Sequence, residues 1–138
     1  MTAKEIYEAA LSNLFEYPDK DADFKAFFPD FLNLLMQEAL PTENAVREAR
    51  GEELLVSAPV VTDLTEEVPY DDMITRVAFP YGVAALYLRD DMDNFNAQDY
   101  RARYIGALQD AIDYAFKYRT GEGIVQDVYR DVYLEEAD

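Results

Sequence analysis

The sequence predicts a mainly α fold, a helical bundle of about four to five helices, and three observations predict it. Apolar residues recur at three- and four-residue spacing over most of the chain, which is the period of an amphipathic helix. The chain has 138 residues, the size of one domain, and half are hydrophobic, so a core can form. Prolines, glycines and capping residues divide the pattern into helix-length pieces. A short extended or hairpin insertion at about 52–65 and an extended or short-helical C-terminal tail complete the prediction.

The first helix is predicted to begin behind Thr2. Thr2 and Glu5 have the spacing of a capping box, in which each side chain bonds the other residue's backbone amide. Ile6 and Ala10 then begin an apolar stripe at four-residue spacing. The helix is expected to end near residues 17–19, where the sequence reads Tyr-Pro-Asp.

A phenylalanine-rich stretch predicts the second helix. Pro29 falls inside it, so either the helix has Pro29 at its first position or one helix is kinked there. Pro41 is expected to end this helix. Thr42 is expected to cap a short third helix over 43–50, and Gly51 to stop that helix in a left-handed conformation.

The segment after Gly51 changes character. Leu54–Val56 and Val60–Thr62 are β-prone and are separated by Pro59, which predicts an extended or hairpin-forming insertion. Two long helices are predicted after it.

The first long helix is expected from about residue 70 to 90, with a kink at Pro80. The second is expected from about 96 to 118. An acidic loop joins them.

Composition argues against several kinds of chemistry. The chain has no cysteine, so it has neither a disulfide framework nor a thiol nucleophile. It has no histidine, which removes the commonest general base and the commonest transition-metal ligand. No carboxylate pair or glycine-rich loop stands out, so we expect neither an enzyme nor a bound cofactor. Absence of an apolar run of about 18 residues and of a signal-peptide stretch predicts no membrane contact and a reducing intracellular compartment.

The aspartate-rich loop at 90–99 raises the possibility of calcium. An EF-hand loop needs an oxygen ligand at position five, glycine at six and glutamate at twelve. Counting from Asp91, those positions hold Phe95, Asn96 and Ala102. The loop is therefore interpreted as a helix–helix turn, and no metal site is predicted.

The chain is strongly acidic throughout, with a net charge of −17. Residues 1–69 hold 15 acidic and 5 basic residues, and residues 70–138 hold 14 and 7. Because Lys and Arg contacts with phosphates drive DNA binding, sequence-specific binding to nucleic acid is not expected.

The sequence after Gly123 is interpreted as a docking tail, residues 124–138, which follows a helical domain at 1–123. An apolar tail after two glycines either folds back on its own domain or docks into a neighbour, and the pattern alone leaves both open. The residues predicted to dock are Ile124, Val125, Val128, Tyr129, Val132, Tyr133 and Leu134.

A second set of residues is predicted to lie at subunit interfaces. Tyrosine is favoured there because it is large and has a polar tip, and the chain has 11 tyrosines. The candidates are Leu54, Leu55, Val56, Val60, Val61 and Tyr100.

Four stretches together resemble one protein family. They are 44–51 (Asn-Ala-Val-Arg-Glu-Ala-Arg-Gly), 68–72 (Val-Pro-Tyr-Asp-Asp), 79–86 (Phe-Pro-Tyr-Gly-Val-Ala-Ala-Leu) and 100–104 (Tyr-Arg-Ala-Arg-Tyr). The chain resembles, over roughly residues 5–118, the small head–tail connector or adaptor proteins of tailed bacteriophages and prophages.

The resemblance implies a virion structural protein made in the bacterial host cytoplasm. Its subunits would form a ring, expected to be twelve-fold, in the neck of the virion between the portal protein and the next neck or tail protein. The ring would extend the channel through which DNA passes without specific binding. By the same resemblance, Ile124–Leu134 is the candidate segment for docking on the portal protein.

A different class of function also fits the size and charge. An acidic protein can mimic DNA and inhibit a nuclease or another DNA-binding enzyme. Such a mimic should display its carboxylates in two rows on an exposed surface, whereas here the acids are scattered along the sequence.

Overall fold

The structure is a computed structural model that describes residues 1–16 and 22–118. Its four α-helices are α1 (Ala3–Asn13), α2 (Ala22–Arg50), α3 (Phe79–Asp90) and α4 (Asn94–Lys117). A π-helical segment, Ile74–Ala78, directly precedes α3. The prediction of a mainly helical bundle is confirmed. The expected end of the first helix near residues 17–19 lies outside the described residues.

Helix α1 begins with the predicted capping box. The Thr2 hydroxyl accepts a hydrogen bond from the Glu5 backbone amide at 3.2 Å, and the Glu5 carboxylate accepts one from the Thr2 amide at 2.8 Å. The next two free amides, of Ala3 and Lys4, donate to backbone carbonyls in the 64–66 loop, each at 2.9 Å. The start of α1 is therefore held by its own side chains and by a loop about 60 residues further along the chain.

Helix α2 runs through both of its prolines, so the predicted end at Pro41 and the separate third helix over 43–50 are wrong. An interior proline costs a helix about 3 kcal/mol because it removes one hydrogen bond and crowds the preceding turn. The carbonyl that loses its hydrogen-bond partner belongs to Gln37, and both Gln37 and Pro41 are exposed, so this part of the helix is open to water. The buried stripe also continues across it, from Ala39 to Val46 and Ala49, so packing outweighs the penalty. Gly51 ends the helix with φ 72°, as predicted.

The irregular turn of the next helix lies just before Pro80. Pro80 has no amide with which to bond the Arg76 carbonyl, and its ring crowds that carbonyl. The preceding residues widen into a π-helical turn, in which the Phe79 amide donates to the Ile74 carbonyl five residues back. The irregularity at Pro80 is thus a wider turn on its N-terminal side, and the kink stays a prediction.

The helices alternate in direction. Phe24 at the start of α2 packs its ring 5.0 Å from that of Tyr87 near the end of α3, so these helices are antiparallel. The Tyr87 hydroxyl donates to Glu16, just after α1, at 3.3 Å, so α1 and α3 run the same way. A three-residue turn returns the chain into α4, where the Asp93 side chain accepts from the Asn96 amide.

A glycine marks the point where three helices meet. A Cβ atom on Gly82 of α3 would lie 3.1 Å from side-chain carbons of Leu35 in α2 and Tyr104 in α4. Both of those side chains are buried. A side chain at this position would require Leu35 or Tyr104 to move by a few tenths of an ångström, so the absence of a side chain at Gly82 allows the close spacing of α2, α3 and α4.

Replacing Gly82 with alanine should destabilise the protein. We expect G82A to lower the free energy of unfolding by about 1–2 kcal/mol, because overpacking outweighs the gain in helix propensity. Gly106 of α4 is the matched control, since a Cβ atom added there would meet nothing within 4 Å. G106A should raise the free energy of unfolding by about 0.5–1 kcal/mol. Urea unfolding of both variants checks this, and equal stabilisation by both would contradict it.

Candidate assembly surface

The chain between α2 and the π-helical segment is anchored at its far end by a cluster of charged side chains. Glu43 of α2 is only 3% exposed. Its carboxylate accepts hydrogen bonds from the Asp71 backbone amide at 2.7 Å and from Arg47 at 2.6 Å. Arg50 forms an ion pair with the Asp71 carboxylate. Two charges of each sign are thus collected at the end of α2.

Arg47 also holds both ends of the segment that connects α2 to the π-helical segment. The Arg47 guanidinium donates to the carbonyl of Glu53 at 3.1 Å and to that of Pro69 at 3.0 Å. Next to it, the buried Tyr70 hydroxyl donates to the Met36 carbonyl at 2.5 Å. The segment therefore leaves α2 and returns to it at nearly the same place.

Burial changes the acidity of two groups in this cluster. Removal from water raises the pKa of Glu43, and the hydrogen bonds from Asp71 and Arg47 only partly oppose this. Burial also raises the pKa of Tyr70 to about 12, with a smaller contribution from the Glu43 charge. Both shifts favour the uncharged form of the side chain.

Two asparagines of α2 hold the middle of the segment by the same paired arrangement. The Asn44 side chain accepts from the Leu55 amide at 2.8 Å and donates to the Leu55 carbonyl at 3.0 Å. Asn33 accepts from the Val61 amide at 2.8 Å and donates to the Val61 carbonyl at 2.9 Å. Each primary amide thus takes the place of a neighbouring β-strand.

We call these two paired contacts, Asn44 with Leu55 and Asn33 with Val61, the asparagine clamps. Their spacing shows how the segment lies. Asn33 and Asn44 are 11 residues apart, which is about three helical turns, so they share one face of α2 and stand about 16 Å apart. The six residues from Leu55 to Val61 span at most about 20 Å when extended. The chain therefore runs nearly straight along α2, in the opposite direction. The predicted insertion is extended, and it forms no hairpin within the described residues.

The outer side of this segment is an exposed apolar surface. Val56 is 99% exposed, Val60 is 69% exposed and Leu54 is 48% exposed. Among the described residues, no group bonds the backbone of residues 56–60. The segment thus offers apolar side chains together with free backbone donors and acceptors, which is how an exposed strand edge accepts another strand.

Three of the predicted interface residues do not belong to this exposed surface. Val61 is 3% exposed and is part of the core, and Leu55 is half-buried against that core. Tyr100 lies elsewhere, with its hydroxyl donating to the Asn13 carbonyl at 3.2 Å and its ring 6.0 Å from that of Tyr81. We define the assembly surface as Leu54, Val56 and Val60. The predicted docking residues from Ile124 to Leu134 lie outside the described residues.

Sequence reasoning missed the clamps and the buried glutamate. The signal for Glu43 was its position on the apolar stripe of α2, four residues after Ala39 and three before Val46. The signal for the asparagines was their spacing of three helical turns. Neither signal is visible when Pro41 is taken as the end of the helix.

No group of three or more acidic side chains in the described residues is arranged to hold a metal ion. None of the described helices is long and apolar enough to cross a membrane. Comparisons with protein-family models, curated proteins and solved structures found no match to this chain.

Removing one asparagine clamp should release one end of the segment and not the other. We expect N33A to increase amide hydrogen exchange at Val61, and N44A to increase it at Leu55, because each variant deletes only one acceptor. Each should also lower the free energy of unfolding by about 1–3 kcal/mol, the net worth of two hydrogen bonds. Exchange measured by NMR makes each variant the control for the other. Equal changes at both amides in both variants would show that the clamps do not act separately.

The buried Glu43 should give a recognisable dependence of stability on pH. Its raised pKa means that the unfolded chain ionises this group first, so its contribution to stability falls as pH rises above the usual value of 4.5. E43Q should therefore become more stable relative to the wild type between about pH 4 and 6.

Glu38 provides a control of opposite sign. The hydrogen bonds from Arg101 hold its pKa below the usual value. Its contribution is present above that value and is lost as pH falls, so E38Q should become less stable relative to the wild type over the same rise in pH. Urea unfolding at several pH values measures both differences. A change in relative stability of the same sign in both variants as pH rises would contradict the opposite directions of the two pKa shifts.

Proposed function

We propose that this chain is a head–tail connector subunit of a tailed bacteriophage or prophage. In this role it is a structural protein of the virion neck and not an enzyme. Its subunits form a ring, expected to be twelve-fold, between the portal protein and the next neck or tail component. DNA passes through the ring without specific binding.

One observation carries the proposal: the stretches that resemble the connector family meet in space. Arg47 and Arg50 come from the first stretch, and Tyr70 and Asp71 from the second, and they are joined by the ion pairs and hydrogen bonds around Glu43. The Tyr70 ring packs 5.5 Å from Phe79, the first residue of the third stretch.

The fourth stretch joins through the glycine contact. Gly82 of the third stretch lies against Tyr104 of the fourth. Four segments that are distant in the sequence thus form one continuous framework. That is what a resemblance based on a shared fold requires, and chance likeness of separate short stretches does not require it.

The charge fits transmission of DNA better than binding of DNA. A duplex that moves through a ring must not adhere to it, and a net charge of −17 per subunit repels phosphate. Adding subunits in a ring multiplies that repulsion around the channel.

The arrangement of acids also argues against the DNA-mimic alternative. A mimic needs carboxylates that are free to meet a DNA-binding enzyme. Here Glu43 is buried, Asp71 is paired with Arg50, and Glu38 accepts two hydrogen bonds from Arg101. Glu66 is used within its own loop, where it accepts from the Thr62 and Asp63 amides. These four carboxylates support the fold.

Assembly with the portal protein from the same genome tests the proposal. We expect the chain to co-sediment with portal rings and to add a ring of density in electron micrographs. The same preparation should not inhibit nucleases at a stoichiometric ratio. Inhibition without portal binding would support the mimic and overturn the connector.

The assembly surface can be tested in the same assay. We expect the double substitution V56D/V60D to abolish ring assembly with little change in melting temperature, because both side chains are exposed. F95D is the matched control, since Phe95 is 82% exposed at the start of α4. Unchanged assembly of V56D/V60D, or equal loss in F95D, would remove the assignment of this surface while leaving the portal-binding result intact.

A further inference from the structure

A groove opens between α2, α3 and α4, away from the assembly surface. Its volume is about 530 Å³, which is within the range of sites that hold a peptide side-chain cluster or a small ligand. Its apolar lining consists of Leu34, Leu35, Gly82, Ala85, Leu86 and Ala97. Leu34 is 58% exposed, so apolar surface in this groove is left open to water by the described residues.

The polar lining of the groove is rich in hydrogen-bond donors. Arg89, Arg101, Asn94 and Gln98 lie along it, together with the single carboxylate of Glu38. Two arginines against one acid make a positively charged lining in a chain that has 29 acidic and 12 basic residues. This local reversal of charge favours an acidic occupant.

The two arginines differ in how they are held. Arg101 donates to both oxygens of Glu38, at 2.8 and 2.5 Å, and its guanidinium lies 5.1 Å from the centre of the Tyr104 ring. It is therefore fixed in place and its charge is largely compensated. Arg89 is exposed and has no ion-pair partner among the described residues, so its charge is available to an occupant.

The chain itself contains a segment with matching chemistry. Twenty residues follow Tyr118, outside the described part of the structure. Between 124 and 134 this segment has seven apolar or aromatic residues, two aspartates, Asp127 and Asp131, and one arginine, Arg130, and Glu135 and Glu136 follow directly, so its net charge is negative. Apolar groups match the groove's leucines and alanines, and carboxylates match Arg89.

The length of chain is sufficient for this segment to reach the groove of its own molecule. Arg89 lies across a three-residue turn from Asn94, and Asn94 is 24 residues before Tyr118 on α4, which corresponds to about 36 Å along the helix. Asp131 follows Tyr118 by 13 residues, which span up to about 43 Å when extended. A tether this short also gives the segment an effective concentration near the millimolar range, higher than that of any partner in dilute solution.

We propose that residues 124–134 bind in this groove of the same molecule, with Asp131 paired with Arg89. This site goes beyond the connector function and does not depend on it, because it requires no portal protein. The sequence leaves open whether the segment folds back on its own domain or docks into a neighbour, and this proposal takes the first alternative.

The absence of cysteine permits a direct test in the full-length chain. The double variant Gln98→Cys/Val128→Cys is treated with a short bis-maleimide at low micromolar concentration, and crosslinked peptides are counted by mass spectrometry. We expect crosslinks within one molecule. The matched control is Val56→Cys/Val128→Cys, in which the first position lies on the assembly surface, and it should crosslink much less.

Charge exchange tests the specific contact. Adding R89E to the Gln98→Cys/Val128→Cys variant should reduce the crosslink yield about twofold to fivefold, the effect of losing one exposed ion pair. Adding D131R as well should restore the yield. Arg89 has no partner in the described fold, so R89E should leave the melting temperature unchanged.

Three outcomes would overturn the proposal. Equal yields from the two cysteine pairs would mean that the segment does not prefer the groove. Crosslinks that join only differently isotope-labelled molecules would assign the segment to a second copy. A crosslink yield that R89E does not change would show that Arg89 forms no ion pair with the segment. The same segment is the predicted portal-docking segment, so in the virion the groove and the portal protein would compete for it. The crosslinking is measured on the chain alone and portal binding by co-sedimentation, so failure of one proposal is distinguishable from failure of the other.

Discussion

The fold depends on one buried acid. Glu43 lies in the apolar stripe of α2, and its carboxylate binds the backbone amide of Asp71. Burying a charge is costly unless it is paired and hydrogen-bonded, and Arg47 and the Asp71 amide satisfy that condition. Asp71 in turn accepts from the Met73 amide at the start of the next helical turn. The direction of the second half of the bundle is therefore set from the end of α2.

This arrangement explains why a long irregular segment is compatible with a compact helical protein. Loops of this length without secondary structure are uncommon in small domains. Here the two ends are tied to Arg47, the middle to two asparagines, and residues 64–68 to the start of α1. The segment is fixed by helices that lie on either side of it, and it behaves as a structural layer of the bundle.

Local patterns predicted the parts of this fold that depend on neighbouring residues. The capping box at Thr2, the left-handed Gly51 and the helical periods all follow from residues a few positions apart. What the patterns could not supply were choices decided by distant contacts. Pro41 is a strong local stop signal, yet packing on the far side of the helix overrides it. The segment at 54–61 is β-prone, but its partner proved to be two side chains of a helix.

The assembly surface and the groove also differ in how far the sequence predicts them. The sequence predicts apolar residues in a β-prone run at 54–61, but it does not distinguish the exposed Val56 from the buried Val61. The groove between α2, α3 and α4 has no sequence signature, because its lining comes from three helices and its shape depends on the close approach at Gly82.

The asparagine clamps have a consequence for how the outer strand edge can be used. In an ordinary sheet, the register of an edge strand is set by the strand already paired with it. A new strand on the free side can therefore disturb that pairing, and the disturbance spreads through the sheet. Here the inner edge is held by side chains of a rigid helix at only two points. An incoming strand at the outer edge displaces no existing backbone bond, so the segment can change its partner while the bundle keeps its shape.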